Sequence, residues 1–411
     1  MLRELNVFES DTMNLQNCFF DLSEPENISV VLQSYNHERA MRVVICGGGV
    51  IGACTAYFLS RRGVEVIVVE STGVACAASG KAGGFLALDW CRGSVLDALA
   101  RRSFALHAQL PDEVAGDWAY RRMTAYSGFV VADRDARRYV PAQLDWLSDG
   151  VMISNRLGTT DTTAIVNPRK FTTAMMKAAQ DQGTEVRAGR VTGLVYSGES
   201  IVRGIEVDGE TLDADAVVIA MGPWSILAAQ WMPLPAVYGQ QSPSLVYDTG
   251  SEVPAHALFL EYVDESGAEL TVEVFPRADG STHVTAFSNQ MPLPLEPAAV
   301  APEPGAIERL QAICERVSPA FRQDRISARQ ACFRPITQDY VPLIGKAPGV
   351  AGAYVATGHN VWGILNAPAT GEALSELIAD GAARSTDLAP FDPARLRAID
   401  PGQVRSVLAS H

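Results

Sequence analysis

Val43-Val44-Ile45-Cys46-Gly47-Gly48-Gly49-Val50-Ile51-Gly52-Ala53-Cys54-Thr55-Ala56 decides the fold of this chain. The run Val43 to Ile45 has the β-branched, apolar character of a short buried strand, and Gly47, Gly49 and Gly52 follow in the G-x-G-x-x-G spacing. The first glycine permits a tight turn, the second lets the backbone approach a pyrophosphate, and the third lets a helix from Ala53 to Arg61 pack closely on the strand. The helix N-terminus then faces the phosphates, and Val50 and Ile51, between the second and third glycines, are candidate cofactor contacts. A second apolar run, Val64 to Val69, ends at Glu70 and Ser71, where a carboxylate can accept hydrogen bonds from adenosine ribose hydroxyls. Glycine turns alone are common, but strand, turn, helix, strand and acid in this order, within about 30 residues, specify a dinucleotide site.

At 411 residues the chain suits two domains. Hydrophobic residues make up 47% of it, as in a globular enzyme, and no stretch is long and apolar enough to span a bilayer. The formal charge of -14 argues against a nucleic-acid partner, because such binding rests on clustered Lys and Arg. The seven cysteines are odd in number and contain no C-x-x-C pair, so neither a disulfide framework nor a metal site is expected. That usage fits a reducing, cytoplasmic setting. Residues 1–40 show no secretory or transit pattern and are expected to be a flexible extension, or sequence upstream of a start at Met41.

After Glu70 the chain does not continue as the regular helix and strand of a nicotinamide-binding unit. The small residues from Ser71 to Gly84 let the backbone pass close to a ligand, with Ala78, Ser79 and the amides of Gly83, Gly84 and Phe85 facing phosphate or an isoalloxazine ring. Further on, a helix is expected from Val95 to Leu110, stopped by Pro111, and another near Ala142 to Leu147. Strands are expected over Gly128 to Ala132, Glu185 to Arg187 and Val191 to Val195. A helix opens at Asn167-Pro168, with Met175 and Met176 in its core face. Alternating runs at Leu270 to Phe275 and His283 to Phe287, joined by Ala278-Asp279-Gly280, read as a hairpin of an antiparallel sheet. Ile307 to Val317 reads as an amphipathic helix.

Gly47 to Gly52, Glu70 and the run Ala78-Ser79-Gly80-x-x-Gly83-Gly84 resemble the N-terminal signature of the D-amino-acid oxidase superfamily of FAD enzymes, close to glycine oxidase and sarcosine oxidase. Cys332-Phe333-Arg334-Pro335-Ile336-Thr337-Gln338-Asp339-Tyr340-Val341-Pro342-Leu343-Ile344-Gly345 resembles the glycine-oxidase pattern R-P-x-T-x-D-G-x-P-x-I-G, with Tyr340 where the family has glycine. Thr357 to Gly371 resembles the family's GH-x-x-x-G turn at the flavin pyrimidine edge, with His359, Asn360, Trp362, Gly363, Ile364 and Leu365 toward the cofactor. Regular helix is expected from near Pro368, because proline breaks a helix begun much earlier. The resemblance spans Met41 to about Arg384.

The resemblance implies an α/β fold: an FAD-binding Rossmann-type domain with a parallel sheet and helices (41–117, 164–225 and 327–385), and a mixed α+β substrate domain with an antiparallel sheet (118–163 and 226–326). Residues 386–411 are left as a tail. It implies FAD rather than NAD, with Val191 near adenine and Gly222, after the buried strand Ala216 to Ile219, near the cofactor. Arg334 is the first candidate for a substrate carboxylate, since a guanidinium grips one through two parallel bonds. Glu273, if it points inward, and Val361 are further substrate candidates. Cys332 matches the flavin-linked cysteine of sarcosine-oxidase-like members, yet its neighbours resemble glycine oxidase, so non-covalent FAD is expected.

The activity implied is oxidation of the C–N bond of an amino acid or related amine by hydride transfer to flavin, giving an imine that water hydrolyses. Some sarcosine-oxidase-like members hold a Lys over the flavin that promotes reaction with oxygen, and the stretch matching it here, His283 to Leu295, contains no Lys, so a dehydrogenase using another acceptor is the alternative. A non-catalytic flavin-bound interaction protein is a third reading. A superfamily member acting on modified tRNA would need a basic surface that this chain lacks. Composition leaves the oligomeric state unassigned.

Overall fold

The computed structural model describes residues 40–130, 144–263 and 267–408. The expected extension lies outside these, apart from Ala40. Two sheets carry the molecule. The first has six strands in the order Leu343–Lys346, Ala353–Thr357, Ala216–Ile219, Arg42–Cys46, Glu65–Glu70, Glu185–Ala188; all pairs are parallel except the first. Its central strands are buried on both faces, which is why they read as unbroken apolar runs. Helices Val50–Ser60, Asp97–Glu113, Pro168–Gln180 and Gly363–Ala379 pack on one side of it.

The second sheet has eight strands, with Tyr238–Asp248, Ser281–Thr285, Glu269–Pro276, His256–Val263, Thr124–Val130 and Val151–Gly158 side by side in that order. Asn289–Gln290 and Ile326–Ile336 both pair with Tyr238–Asp248. All its pairs are antiparallel except that of His256–Val263 with Thr124–Val130. The hairpin is present as expected. The expected domain boundary at 327 falls inside a strand: Ile326–Ile336 hydrogen-bonds along Tyr238–Asp248, so Cys332 and Arg334 belong to the antiparallel sheet. From Met41 onward the described residues form one compact unit. Nor is the segment from 386 a loose tail, since Phe391 and Val404 are fully buried and Arg395 pairs with Asp339 at 2.8 Å.

Several local expectations need correction. The first helix starts at Val50, not Ala53. Leu144 to Leu147 are turns rather than helix, and the rest of that expected helix, like the end of the expected strand at Ala132, lies outside the described residues. The helix at Asp97 runs past Pro111 to Glu113, because Val114 N–H still reaches the Leu110 carbonyl at 2.9 Å.

The largest correction is at Pro368, which lies inside a helix that begins at Gly363. Proline there leaves the Ile364 carbonyl without its usual donor. His107 supplies one, with Nε2 2.9 Å from that oxygen. Four residues away on the same face of helix Asp97–Glu113, Ser103 Oγ accepts from Ala369 N at 3.1 Å. Both side chains are fully buried. A carbonyl only accepts, so His107 carries its proton on Nε2. Burial pushes its pKa down to about 4, which keeps the ring neutral. A neighbouring helix thus repairs the proline break and lets the helix start five residues earlier than proline alone would allow.

Candidate active site

A cavity of about 440 Å³ lies where the two sheets meet, walled by the glycine turn, the loop 75–85, the turn 357–364 and one face of the antiparallel sheet. At the dinucleotide end, Gly47 N–H is tied to the Val69 carbonyl at 2.8 Å. A Cβ on Gly52 would stand 2.0 Å from the Gly47 carbonyl oxygen, so the third glycine is a packing requirement between turn and helix. Glu70 caps the turn: one carboxylate oxygen accepts from Gly48 N at 2.7 Å, the other from Thr72 N and Gly73 N at 2.9 and 3.3 Å. Helix Val50–Ser60 has no acid in its first turn and no side-chain cap at Gly49, which leaves its N-terminus suited to an anion. Ser79 Oγ accepts from Val50 N at 2.8 Å, and its own hydroxyl proton is free to turn toward a phosphate.

At the other end, helix Gly363–Ala379 also lacks an acid in its first turn and points its N-terminus at the cavity. Asn360, left-handed with φ 51°, presents a side-chain oxygen with no partner among the described residues. His359 is buried against Thr370 at 3.1 Å, and burial lowers its pKa to about 3. Here a helix N-terminus would stabilise the charge a flavin gains on two-electron reduction.

The antiparallel sheet contributes side chains at a spacing of two. Ser242 and Ser244, Glu273 and Phe275, His283 and Thr285, and Cys332 and Arg334 all line the cavity, one pair from each of four neighbouring strands. Alternate residues share a face of a strand, so this face is the roof of the site. Glu273 points inward. Its carboxyl is pushed up by burial and drawn back by the Arg334 guanidinium. Arg334 in turn is lowered by burial and raised by Glu273; one of its terminal nitrogens donates to Gln240 at 3.1 Å, while Nε has no partner among the described residues. Phe85, Trp90, Phe259, Phe275 and Trp362 form a continuous aromatic wall with ring separations of 4.9 to 6.4 Å.

Of the residues expected to touch cofactor or substrate, all line the cavity except Gly52 and Leu365. Gly52 packs beneath the turn, and Leu365, 1% exposed, belongs to the core of its helix. Val361 is exposed at the rim. Lys81, Trp90, Phe259, Phe275 and His283 line the cavity without having been singled out as contacts. Among these, Phe275 and His283 carried a signal as members of the alternating runs of the hairpin, and Lys81 as part of the ligand-facing loop, whereas Trp90 and Phe259 carried none. Among the described residues no cluster of His, Cys, Asp or Glu could hold a metal ion, and no helix is long and apolar enough to cross a membrane.

A site with two helix N-termini free of acidic residues, a ribose-range carboxylate and a glycine loop whose Gly83 and Gly84 amides face the cavity fits a flavin dinucleotide. Comparison with known proteins agrees. The profile of the DAO family, FAD dependent oxidoreductase, matches residues 42–377. A Schizosaccharomyces pombe protein, named only provisionally as an oxidoreductase, is 30% identical over 86% of this chain and 98% of its own length. Glycine oxidase of Pseudomonas putida is 26% identical over 86% and 98%. The crystal structure of glycine oxidase from Geobacillus kaustophilus superimposes with a TM-score of 0.69 at 22% identity, covering 87% of this chain and 99% of that one, and so shares the fold. With the matched profile covering both the glycine turn and the Arg334 strand, the chain belongs to the DAO family of FAD-dependent oxidoreductases.

Proposed function

We propose that this flavoenzyme oxidises the C–N bond of an amino acid or related amine that carries a carboxylate and an apolar side chain. The observation that carries the reading is the placement of Arg334 and Glu273 on one sheet face, toward one cavity, beside an aromatic wall. Bound FAD supplies the two-electron acceptor. Arg334 holds the carboxylate through Nε and its remaining N–H groups. Glu273, kept high by burial, takes up the proton that the ammonium must lose before a C–N bond can be oxidised. The aromatic wall receives the side chain and excludes water. Catalysis then rests mainly on positioning.

Two finer points follow the same residues. Burial pushes the Cys332 thiol up, with Arg334 and Lys81 pulling the other way, so little thiolate is available and FAD is held without a covalent bond. Acid precipitation tests this: the yellow colour goes to the supernatant, whereas a yellow pellet that turns colourless in Cys332→Ser overturns it. For the acceptor, the strand stretch His283 to Leu295 lacks Lys, but Lys81 lies on the cavity wall with Nζ 3.0 Å from the Ala331 carbonyl. A cation on this wall would favour molecular oxygen as acceptor once FAD is bound, and hydrogen peroxide formed in step with substrate is its measure. The activity itself is tested by anaerobic addition of a panel of amino acids and amines; flavin bleaching by carboxylate-bearing apolar amines, and not by simple alkylamines, is the expected result. A flavin that no amine bleaches sinks the proposal.

A further inference from the structure

Three consecutive carbonyls of the loop 75–85 on the cavity wall are each held by a side chain from the roof sheet or from the hairpin turn that leaves it. His283 Nε2 and Gln330 Nε2 each lie 3.2 Å from the Lys81 oxygen. Arg277 places one terminal nitrogen 2.7 Å from the Ala82 oxygen and 3.3 Å from the Gly83 oxygen, with Nε also 3.3 Å from the latter. No peptide bond in the described chain is cis. In a trans peptide the N–H points opposite to its own C=O. The amides of Ala82, Gly83 and Gly84 therefore point away from the clamp, and these three residues line the cavity. Among the described residues, the Gly83 and Gly84 amides donate to no protein acceptor, whereas the Ala82 amide closes the short helix Ala78–Lys81.

The clamp is built at some cost. Arg277 is only 8% exposed, and no described carboxylate forms an ion pair with it. The nearby acid, Asp279, is already held by Asn167, Lys170 and Ser281. A buried guanidinium paired with carbonyls alone is expensive to desolvate, so loop packing is poorly served by it when an apolar side chain would do. Its charge does have a use. A charge-assisted bond to a carbonyl polarises that peptide and strengthens its N–H as a donor on the far side. Gly83 cannot carry a side chain there, since its Cβ would stand 2.3 Å from the Phe275 ring, so the amide approaches the cavity bare.

We propose that Arg277, with His283 and Gln330 fixing the preceding Lys81 carbonyl, is a positioning group that aims and polarises the amides of Gly83 and Gly84 toward the flavin ring, raising its readiness to accept electrons. The inference rests on the FAD assignment and not on the choice of substrate. It is tested on the FAD-loaded protein by reduction against a reference dye of known potential, without any substrate. Arg277→Gln should lower the reduced-to-oxidised ratio at a given potential by about tenfold, about 30 mV for a two-electron couple, while Arg277→Lys recovers most of the change. If Arg277→Gln does not fold, Gln330→Leu, which removes one donor to the Lys81 carbonyl, should give a smaller shift of the same sign. A purely structural clamp would alter melting temperature or FAD affinity and leave the potential alone. An unchanged potential in whichever variant folds, or equal shifts in Arg277→Gln and Arg277→Lys, overturns the proposal.

Discussion

The glycine turn at Gly47 to Gly52 and the roof sheet built from Tyr238–Asp248, Glu269–Pro276, Ser281–Thr285 and Ile326–Ile336 face the same cavity with different materials. The turn offers backbone: amides and a helix N-terminus, with one carboxylate 18 residues after Gly52 closing the loop on itself. The roof offers side chains, Glu273 and Arg334 above all, from strands separated by two others in the sheet. A backbone site tolerates almost any side chain that leaves room, and so it depends on a few glycines. A side-chain site depends on register across strands distant in sequence, and its residues can be exchanged without disturbing the sheet. On the function proposed above, the turn governs folding and cofactor affinity, and Glu273 and Arg334 on the roof govern which molecule is oxidised.

The sharpest way to break that division is Gly52→Val. Its Cβ would press on the Gly47 carbonyl oxygen, between backbone atoms that cannot yield, and a cost of more than about 3 kcal/mol should leave little soluble protein. Recovery of a well-folded, FAD-loaded variant would show that the turn is not the packing constraint described.

Acid stability rests on buried histidines of the roof and of the helices beside the cavity. His107, His283 and His359 have pKa values lowered by burial to about 4, about 3 and about 3. Below the ordinary histidine value near 6.5 the unfolded chain binds protons that the folded chain does not, so stability rises with pH in that window and is lost as pH falls from there toward 4. Each group contributes about 1.4 kcal/mol per pH unit. Calorimetry from pH 7 to 4.5 should show a steep fall in melting temperature, and His283→Gln should make it shallower. A flat profile would mean that the three rings are protonated in the fold.

Next in size, Glu70→Ala should weaken FAD binding by roughly 1–3 kcal/mol, the scale of losing hydrogen bonds to a charged group, while the ranking of substrates on the loaded protein stays the same. A changed ranking would blur the division between turn and roof. Smallest is Tyr340→Gly. Tyr340 is left-handed with φ 59° and 61% exposed, so glycine relieves strain and gives up little packing. A gain of about 1 kcal/mol is expected in the melting free energy, with no effect on turnover.

The same contrast explains what could be read from sequence. The turn was legible because each glycine answers a local steric demand at fixed spacing, and Glu70 follows from where the second strand ends. On the roof, Arg334 was found through resemblance, while the inward direction of Glu273 needed the pairing of its strand with Ser281–Thr285. Trp90 and Phe259 reach the wall from separate elements and carry no periodic signal. Pro368 misled for a physical reason: the proline rule holds within one helix, and the donor that satisfies Ile364 comes from His107, 257 residues away in sequence. Tyr340 shows the converse, because the departure from glycine was visible and the left-handed turn was kept all the same.

The division between turn and roof is tested most directly by Arg334→Ala, with FAD affinity and substrate half-saturation measured on the same preparation. The account predicts unchanged FAD content and spectrum, with half-saturation for the best carboxylate-bearing substrate raised roughly 10- to 150-fold, the effect of losing a charge-assisted contact of about 1.5–3 kcal/mol. Loss of FAD, or parent-like half-saturation with a substrate that carries a carboxylate, would contradict it.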